Sequence, residues 1–264
     1  MGFEATIVAD SVSPEGKRLT TMVVSFPRII LAEFNTHRVL SRNSASSRAI
    51  PVAKILDRVK QDPFIPVSWG KNQKGMSADE EIPENLQDYA RVHWLDARDS
   101  MIRKAQCLMD LGVHKQIANR LLEPWMFTTV LVSSTTYHNF FRLRNHPKAQ
   151  PEMQRIAGIM QSVYEGSVPK SLKEGEWHLP FLREEDLNLP LEEIRNVVTA
   201  RCARLSYLTH DGRRDHAEDL RLHALLASDG HWSPFEHVAT PCPGRHGNFE
   251  GWKQYRQLVD THPY

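Results

Sequence analysis

The sequence predicts an α/β fold in a single domain that spans residues 1–264. Two stretches, 18–34 and 125–136, are rich in the β-branched and aromatic residues that are typical of buried strands. Several other stretches have helical periodicity and are bounded by proline or glycine. No repeat, low-complexity tract or linker divides the chain, and a sequence of 264 residues that is 41% hydrophobic can bury one sizeable core.

Proline and glycine set the boundaries of the elements predicted in the first half. Pro27 limits continuous strand pairing, Pro51 suits the first residue of a helix, and Gly112 ends a long helix. The predicted elements are one or two strands in 18–34, a helix over 51–62, a surface loop at 69–83, and a long helix over about 84–111.

In the second half of the chain, the spacing of hydrophobic residues is the main indication of secondary structure. Met153, Ile156, Met160 and Val163 recur at helical spacing and mark one buried face. The predicted elements are a helical piece over 114–123 that ends at Pro124, a strand in 125–136, helices over 138–144 and 149–166, a surface excursion at 166–190, and helices over 191–207 and 213–228 before Gly230.

Charge and cysteine content restrict partners and location. Lys plus Arg total 33 and Asp plus Glu total 32, so no overall field attracts long nucleic acids or anionic membranes. Cys107, Cys202 and Cys242 are odd in number and far apart, which suits a reducing compartment. Neither a leader nor a spanning segment is evident. We therefore expect a cytoplasmic protein without membrane or nucleic-acid partners.

The densest polar cluster is the sequence THRVLSRNSASSR at 36–48. It is predicted to lie between a strand and a helix, where free backbone N–H groups, hydroxyl donors and the positive helix end can hold a phosphate. Arg48 would add a bidentate contact. An ordinary solvated turn with a serine N-cap remains the alternative.

Six positions of this cluster resemble the H-R-x-x-S-x-N-x-x-S-x-R signature of flavin-dependent thymidylate synthases. The resemblance implies that His37 and Arg38, with the adjacent Val39, lie against the flavin. It also assigns Asn43 to the flavin. The nucleotide phosphate would be held by Ser46, Ser47 and Arg48. The matching positions are His37, Arg38, Ser41, Asn43, Ser46 and Arg48.

A second element, GHWSPFEH at 230–237, resembles the G-H-x-S-P-F-E-H element of the family's flavin site. The resemblance implies that Ser233 and Glu236 contact the flavin and that His231 lies near the flavin ring or folate. The stretch TARCARLSY, which ends at Tyr207, resembles the segment that precedes this element in the family. Without the resemblance, His231 and His237 are more typical of partly buried histidines with satisfied hydrogen bonds.

A third block comprises GVHKQIANRLLEP and NFFRLRNHPKAQPEM, at 112–124 and 139–153. Its resemblance to the family implies that Arg120 and Arg144 contact the nucleotide. Arg144 would be the catalytic residue that stabilises negative charge on the pyrimidine, and Asn139 would face the flavin. A surface salt bridge on a helix is the alternative for Arg144.

The order of these segments differs from the usual family order, in which the second element precedes the signature. This suggests a circular permutation. The resemblance implies a central mixed sheet with flanking helices, and FAD bound between the subunits of a homotetramer. The implied reaction methylates dUMP at C5 to dTMP, with methylenetetrahydrofolate and NADPH as co-substrates. The sequence contains no G-x-G-x-x-G, so FAD binding would not use a Rossmann unit.

Other functions remain open. No cysteine has the partner histidine of an activated nucleophile, which agrees with flavin chemistry. Thr36, Ser44 and Ala49 depart from the family signature and leave room for C5-hydroxymethylation of a pyrimidine mononucleotide. His216 and His223, seven apart on a predicted helix, suggest a zinc-dependent nucleotide hydrolase, although no H-E-x-x-H occurs and we expect no metal. A catalytically inactive nucleotide-binding relative is a further alternative.

Overall fold

The computed structural model describes residues 2–205 and 215–260. Within these ranges, seven strands form two sheets: β1 Glu4–Val12, β2 Arg18–Pro27, β3 Ser41–Ser44, β4 Phe127–Ser134, β5 Lys170–Ser171, β6 Ala239–His246 and β7 Phe249–Gln254. The larger sheet has the order β3-β4-β2-β1-β5 and is mixed, because β5 pairs parallel to β1 and the other pairs are antiparallel. Helices flank it. The predicted α/β class, with a central mixed sheet, is confirmed.

The helices are α1 Leu31–Phe34, α2 Val52–Gln61, α3 Glu84–Asp110, α4 Lys115–Ala118, α5 His138–Arg144, α6 Pro151–Glu165, α7 Leu191–Ala203, α8 His216–Ser228 and α9 Arg256–Val259. Pro51 is the N-cap of α2, so the helix begins at Val52, one residue later than predicted. The end of α3 agrees with the prediction, since Gly112 has a φ of +79°. Predicted helical residues at 206–207 and 213–214 lie outside the described residues. No helix within the described ranges has both the length and the apolar character needed to cross a membrane.

Residues 18–34 contain one strand, and the alternative of a second strand is wrong. After β2 ends at Pro27, Arg28–Ile30 form a 3-10 helix that leads into α1. Ile30 and Phe34 are four residues apart, and both are fully buried on the same helical face. Burial of this pair therefore outweighs the β-propensity of the segment.

The helical piece that we predicted to end at Pro124 also differs. It consists of α4 followed by a 3-10 helix over Asn119–Trp125, and Pro124 lies inside that second part. Pro124 is the second-last residue of the 3-10 helix, so its missing N–H costs one backbone hydrogen bond in the final turn and does not interrupt a longer helix.

The large sheet has an apolar face and a partly polar face. Met22, Val24 and Val132 point to the face that α5 and α6 cover, where Met153 and Met160 are fully buried. Side chains at alternate positions point to the opposite face, against the small β6–β7 sheet. This second face positions the C-terminal segments of the chain.

A buried chain of hydrogen bonds crosses that second face. The Ser133 hydroxyl is 2.8 Å from His237 Nδ1 and 2.6 Å from the Thr21 hydroxyl. Thr21 is in turn 2.8 Å from His178 Nε2, and His178 Nδ1 is 2.9 Å from the Ser11 hydroxyl. Burial lowers the pKa of His178 and of His237 to about 3, so both imidazoles are neutral at neutral pH.

These two histidines predict acid sensitivity of folding. Their pKa in the folded state lies below the unfolded value near 6.5, so the unfolded state takes up protons first as the pH falls. We expect the free energy of unfolding, measured by urea titration, to be steady above about pH 7.5. Between about pH 6.5 and 4 it should fall by up to ~1.4 kcal/mol per pH unit for each histidine. His237→Asn should show a shallower decline, and an identical decline would contradict this assignment.

Candidate functional site

A cavity of about 370 Å³ lies where the three segments singled out in the sequence meet. The signature contributes from β3 and the following turn, the third block contributes from the start of α4, and the GHWSPFEH element contributes from a 3-10 helix over Ser233–Glu236. The lining residues are Asn43, Ser46, Arg48, Ala49, His114, Gln116, Leu226, His231, Ser233 and Pro234. Most of them carry hydrogen-bonding groups, which suits a polar or anionic ligand.

The signature is not a single turn between a strand and a helix. It begins after α1, and its residues Ser41–Ser44 form the edge strand β3, which pairs with β4. The strand arises because a partner edge is available on β4, which sequence reasoning could not show. Beyond β3, Ser46 is half-buried and Arg48 is exposed, and both line the cavity. Arg48 forms no hydrogen bond or ion pair with the described residues, so its guanidinium can serve a ligand.

Ser47 and Arg120 occupy different surroundings from Arg48. Ser47 is 1% exposed, and its hydroxyl donates to the Glu123 carboxylate at 2.7 Å. Glu123 also pairs with Arg28 at 2.8 Å and with the half-exposed Arg120 at 2.9 Å. Asn119 donates to the Ser47 carbonyl at 2.7 Å. Neither Ser47 nor Arg120 lines the cavity.

Arg144 and His37 are in direct contact. Arg144 Nε donates to His37 Nε2 at 2.7 Å, and the Arg144 guanidinium also pairs with Glu33 of α1. The His37 ring is buried edge-on against Phe140, with 4.9 Å between ring centroids. Burial, reinforced by the charges of Arg144 and Arg42, lowers the pKa of His37 to about 4. A neutral His37 can therefore accept the hydrogen bond from Arg144.

Arg144 thus takes part in a salt bridge. The alternative left open by the sequence was a salt bridge on the surface of one helix, and the observed pair is of a different kind. Its ion pair joins α5 to α1, and both side chains are less than one-third exposed. Glu33 was not a candidate in the sequence because it falls in the segment where strands were expected.

Arg42 brings the His37 region close to the GHWSPFEH element. Its Nη1 donates to the carbonyls of Phe34 at 3.3 Å and His37 at 3.2 Å. Burial lowers the pKa of Arg42, and the nearby Glu236 carboxylate opposes that shift. Glu236 also pairs with Arg256 at 2.7 Å. His37, Arg144 and Glu236 therefore belong to one region of the fold.

The other residues predicted to contact the flavin form two groups: an inner group that lines the cavity and an outer group that does not. Asn43 lines the cavity and donates to the Cys202 carbonyl at 2.7 Å, which links the signature to the TARCARLSY stretch. Ser206 and Tyr207 of that stretch lie outside the described residues. His231 and Ser233 are exposed at the cavity. The outer group, which does not line the cavity, comprises the exposed Arg38 and Asn139 and the half-buried Val39.

One group among the described residues has suitable spacing for a metal ion, and it consists of Glu185, Asp186 and His216. Asp186 already accepts from Arg201 through both oxygens, at 2.5 and 2.8 Å. His216 Nε2 lies 2.8 Å from the same carboxylate. His223 is not part of this group. The two histidines behind the hydrolase alternative are therefore not brought together as a pair of ligands here.

The three cysteines are unpaired, and none of them lines the cavity. Cys107 is exposed on α3, and Cys242 is half-buried on β6. Burial raises the pKa of the Cys202 thiol. The neutral thiol form is the poorer nucleophile.

Together, the mixed α/β fold and a polar cavity whose Arg48 has no partner in the described part of the chain define a protein suited to binding an anionic small molecule. A family model described as "Thymidylate synthase complementing protein" matches residues 15–170, and the chain belongs to this family. The resemblance seen in the sequence is confirmed. The matched range includes the signature and the third block, whereas the GHWSPFEH element lies beyond it.

Solved structures share the fold. A UMP/dUMP methylase, PolB from Streptomyces cacaoi, bound with 5-Br dUMP has a TM-score of 0.50 and 16% identity. That comparison covers 62% of this chain and 90% of PolB. The same methylase bound with 5-Br UMP has a TM-score of 0.51 and 15% identity, covering 62% and 89% of the two chains. No protein of curated function matches the sequence.

Proposed function

We propose that this chain is an FAD-dependent enzyme that methylates dUMP at C5 to give dTMP, with methylenetetrahydrofolate as carbon donor and NADPH as electron source. The observation that carries the proposal is the convergence of the signature and the GHWSPFEH element on one polar cavity. Membership of the thymidylate synthase complementing family supports the same chemistry. The 5-bromo pyrimidine nucleotides bound by PolB support a pyrimidine nucleotide as substrate.

In this proposal the cavity binds the nucleotide phosphate through Arg48 and Ser46. The Arg48 guanidinium offers several N–H donors and has no competing partner among the residues described. Ser46 adds a hydroxyl beside it. Ser47 and Arg120 both bind the Glu123 carboxylate next to this turn. To bind the nucleotide as proposed, their side chains have to rearrange or contact it from outside the cavity.

Arg144 is proposed to stabilise the negative charge that develops on the pyrimidine ring. His37, held neutral by burial, fixes the Nε side of the guanidinium, while Glu33 holds one Nη group. The remaining N–H donors are free to point toward a substrate carbonyl. Such a pre-oriented donor is effective because it does not have to reorganise during the reaction.

The side chains that we assign to FAD fit the chemistry of that group. FAD carries a diphosphate and a ring with several carbonyl and nitrogen acceptors, and Arg38, His231 and Ser233 offer exposed cationic or polar donors. When bound, the flavin supplies the hydride of the reaction. The remaining proposed flavin contacts are His37, Val39, Asn43, Asn139 and Glu236.

A homotetramer would bring the outer and inner groups together. Arg38, Asn139 and Arg144 do not line the cavity of their own subunit, so we propose that they face the cavity of a neighbouring one. Exposed apolar residues on α3 supply a surface for assembly. They are Leu86, Tyr89 and Val92, with 45%, 67% and 62% exposure.

We further propose that the chain is one circularly permuted domain. The segments that follow the signature in this sequence return to it in space, because Asn43 contacts Cys202 and Ser41 contacts Gln254. Such a return is what a permuted order of the same elements requires.

An absorption spectrum and a product assay test the proposed function. We expect flavin bands in the purified protein and, with dUMP, methylenetetrahydrofolate and NADPH, a product whose mass in mass spectrometry exceeds that of dUMP by one CH2, because a methyl group replaces the hydrogen at C5. A hydroxymethyl product would favour the hydroxymethylase instead. A colourless protein that contains stoichiometric zinc and hydrolyses nucleotides would overturn the proposal.

A further inference from the structure

We propose that Gln254 and Asn248, on the β6–β7 hairpin, are positioning residues that fix the signature against the GHWSPFEH element. The inference rests on the proposed function, because it concerns the geometry of the same site. Neither residue belongs to any segment that resembles the family, and both lie outside the range 15–170 that the family model matches.

Gln254 connects the two site elements directly. Its side chain is 4% exposed, and Nε2 lies 3.1 Å from the Ser41 hydroxyl of the signature. The same nitrogen lies 3.4 Å from the Glu236 carbonyl and 3.1 Å from Asn248 Oδ1. One buried amide therefore contacts the signature, the proposed flavin element and the hairpin turn.

Asn248 binds the signature at Ser41 and also at the backbone of Val39, two residues before Ser41. Its Nδ2 donates to the Val39 carbonyl at 3.2 Å and to the Ser41 hydroxyl at 3.0 Å. Ser41 is 2% exposed, so this set of hydrogen bonds is shielded from water. Val39 and Ser41 lie between His37 and Asn43, and their position sets where those two side chains are directed.

Apolar packing already accounts for the attachment of the hairpin. Phe249 and Trp252 are fully buried in a cluster with Leu19 of β2, and Trp252 Nε1 donates to the Lys17 carbonyl at 2.9 Å. Burial of two aromatic side chains contributes more to stability than one or two neutral hydrogen bonds. The polar set of Gln254 and Asn248 therefore contributes directional placement, because hydrogen bonds tolerate little misalignment.

The turn of the hairpin is also adapted to this arrangement. Gly247 has a φ of +63°, a conformation that favours glycine, and a Cβ there would approach Gln254 Oε1 to 3.1 Å. A larger residue at 247 would press on the amide that contacts the signature.

Hydrogen exchange of backbone amides tests the proposal without requiring turnover. In Gln254→Leu, which replaces the side-chain amide by methyl groups and keeps a side chain of similar size, we expect protection of backbone amides in 39–44 to fall about tenfold, as the loss of one buried hydrogen bond implies. With FAD and dUMP added, the affinity for both should fall about tenfold, with KM rising more than kcat falls. Asn248→Ala should reproduce the exchange pattern if Gln254→Leu does not fold.

Thr240→Ala is the matched control. It lies on the same hairpin and removes a single exposed hydrogen bond, from Thr240 to the Glu176 carbonyl at 2.8 Å, which involves no residue of the signature. Its exchange in 39–44 and its ligand affinities should equal those of the parent protein. Unchanged protection in both Gln254→Leu and Asn248→Ala would overturn the proposal. Reduced protection in the variants, together with a parent protein that binds neither FAD nor dUMP, would sustain the positioning role and reject the proposed function.

Discussion

Replacing Arg144 by alanine is expected to lower kcat by about 100-fold or more, with little change in the fold. The variant removes the proposed source of charge stabilisation and frees His37 Nε2 and Glu33 from their partner. Arg144→Lys should restore little activity, because an ammonium cannot serve two partners and a substrate oxygen in the fixed geometry of a guanidinium. Initial rates of dUMP methylation, with separate kcat and KM values, measure the effect.

Arg155→Ala is a suitable control for this experiment. Arg155 is an exposed arginine on α6 whose guanidinium lies over the Phe3 ring at 4.6 Å, away from the site. It should leave kcat unchanged. If Arg144→Ala retains the kcat of the parent protein, Arg144 has no part in catalysis.

Arg201→Met is expected to lower the free energy of unfolding by about 3–5 kcal/mol. Arg201 is 5% exposed, and it binds Asp186 through Nη1 and Nη2 and Asp219 through Nε at 3.1 Å. Both carboxylates are fully buried. Arg204 still pairs with Asp219 in the variant, but Asp186 loses its guanidinium partner and remains charged in a dry environment. Urea denaturation at neutral pH provides the measurement.

Two further variants separate this explanation from a general effect of removing an arginine. Arg183→Ala breaks a pair with Glu185 in which both side chains are at least one-third exposed, so it should cost less than about 1 kcal/mol. Adding Asp186→Asn to Arg201→Met should recover part of the lost stability, because the stranded charge is removed. Equal losses for Arg201→Met and Arg183→Ala would contradict the role assigned to the buried network.

The elements that the sequence predicted well have strong local patterns. The core of α6 shows regular spacing of Met153, Ile156 and Met160, and all three are fully buried. By contrast, β1 was not anticipated, since EATIVADSV contains few large apolar residues. The β6–β7 hairpin was also missed, because Pro241, Pro243 and Gly244 are typical of a turn. The structure accommodates them where the register shifts between Pro241 and Arg245.

Prediction of the site had a similar limit. The resemblance of the signature to the family singled out Asn43, Ser46 and Arg48, and all three line the cavity. His114 and Gln116 carry no distinctive local pattern, and their place at the cavity depends on how α4 packs. Gln254 contacts Ser41 across more than two hundred positions of the chain. Such a contact depends on tertiary arrangement and leaves no periodic or local signal in one sequence.

The wide separation of the cavity walls along the chain has a consequence for folding kinetics. Asn43, His114 and His231 come together only after long loops have closed, which costs chain entropy before the contacts repay it. Proteins dominated by such distant contacts fold slowly. We therefore expect the cavity to form late, so that a ligand that requires it would stabilise the finished protein without guiding its early collapse.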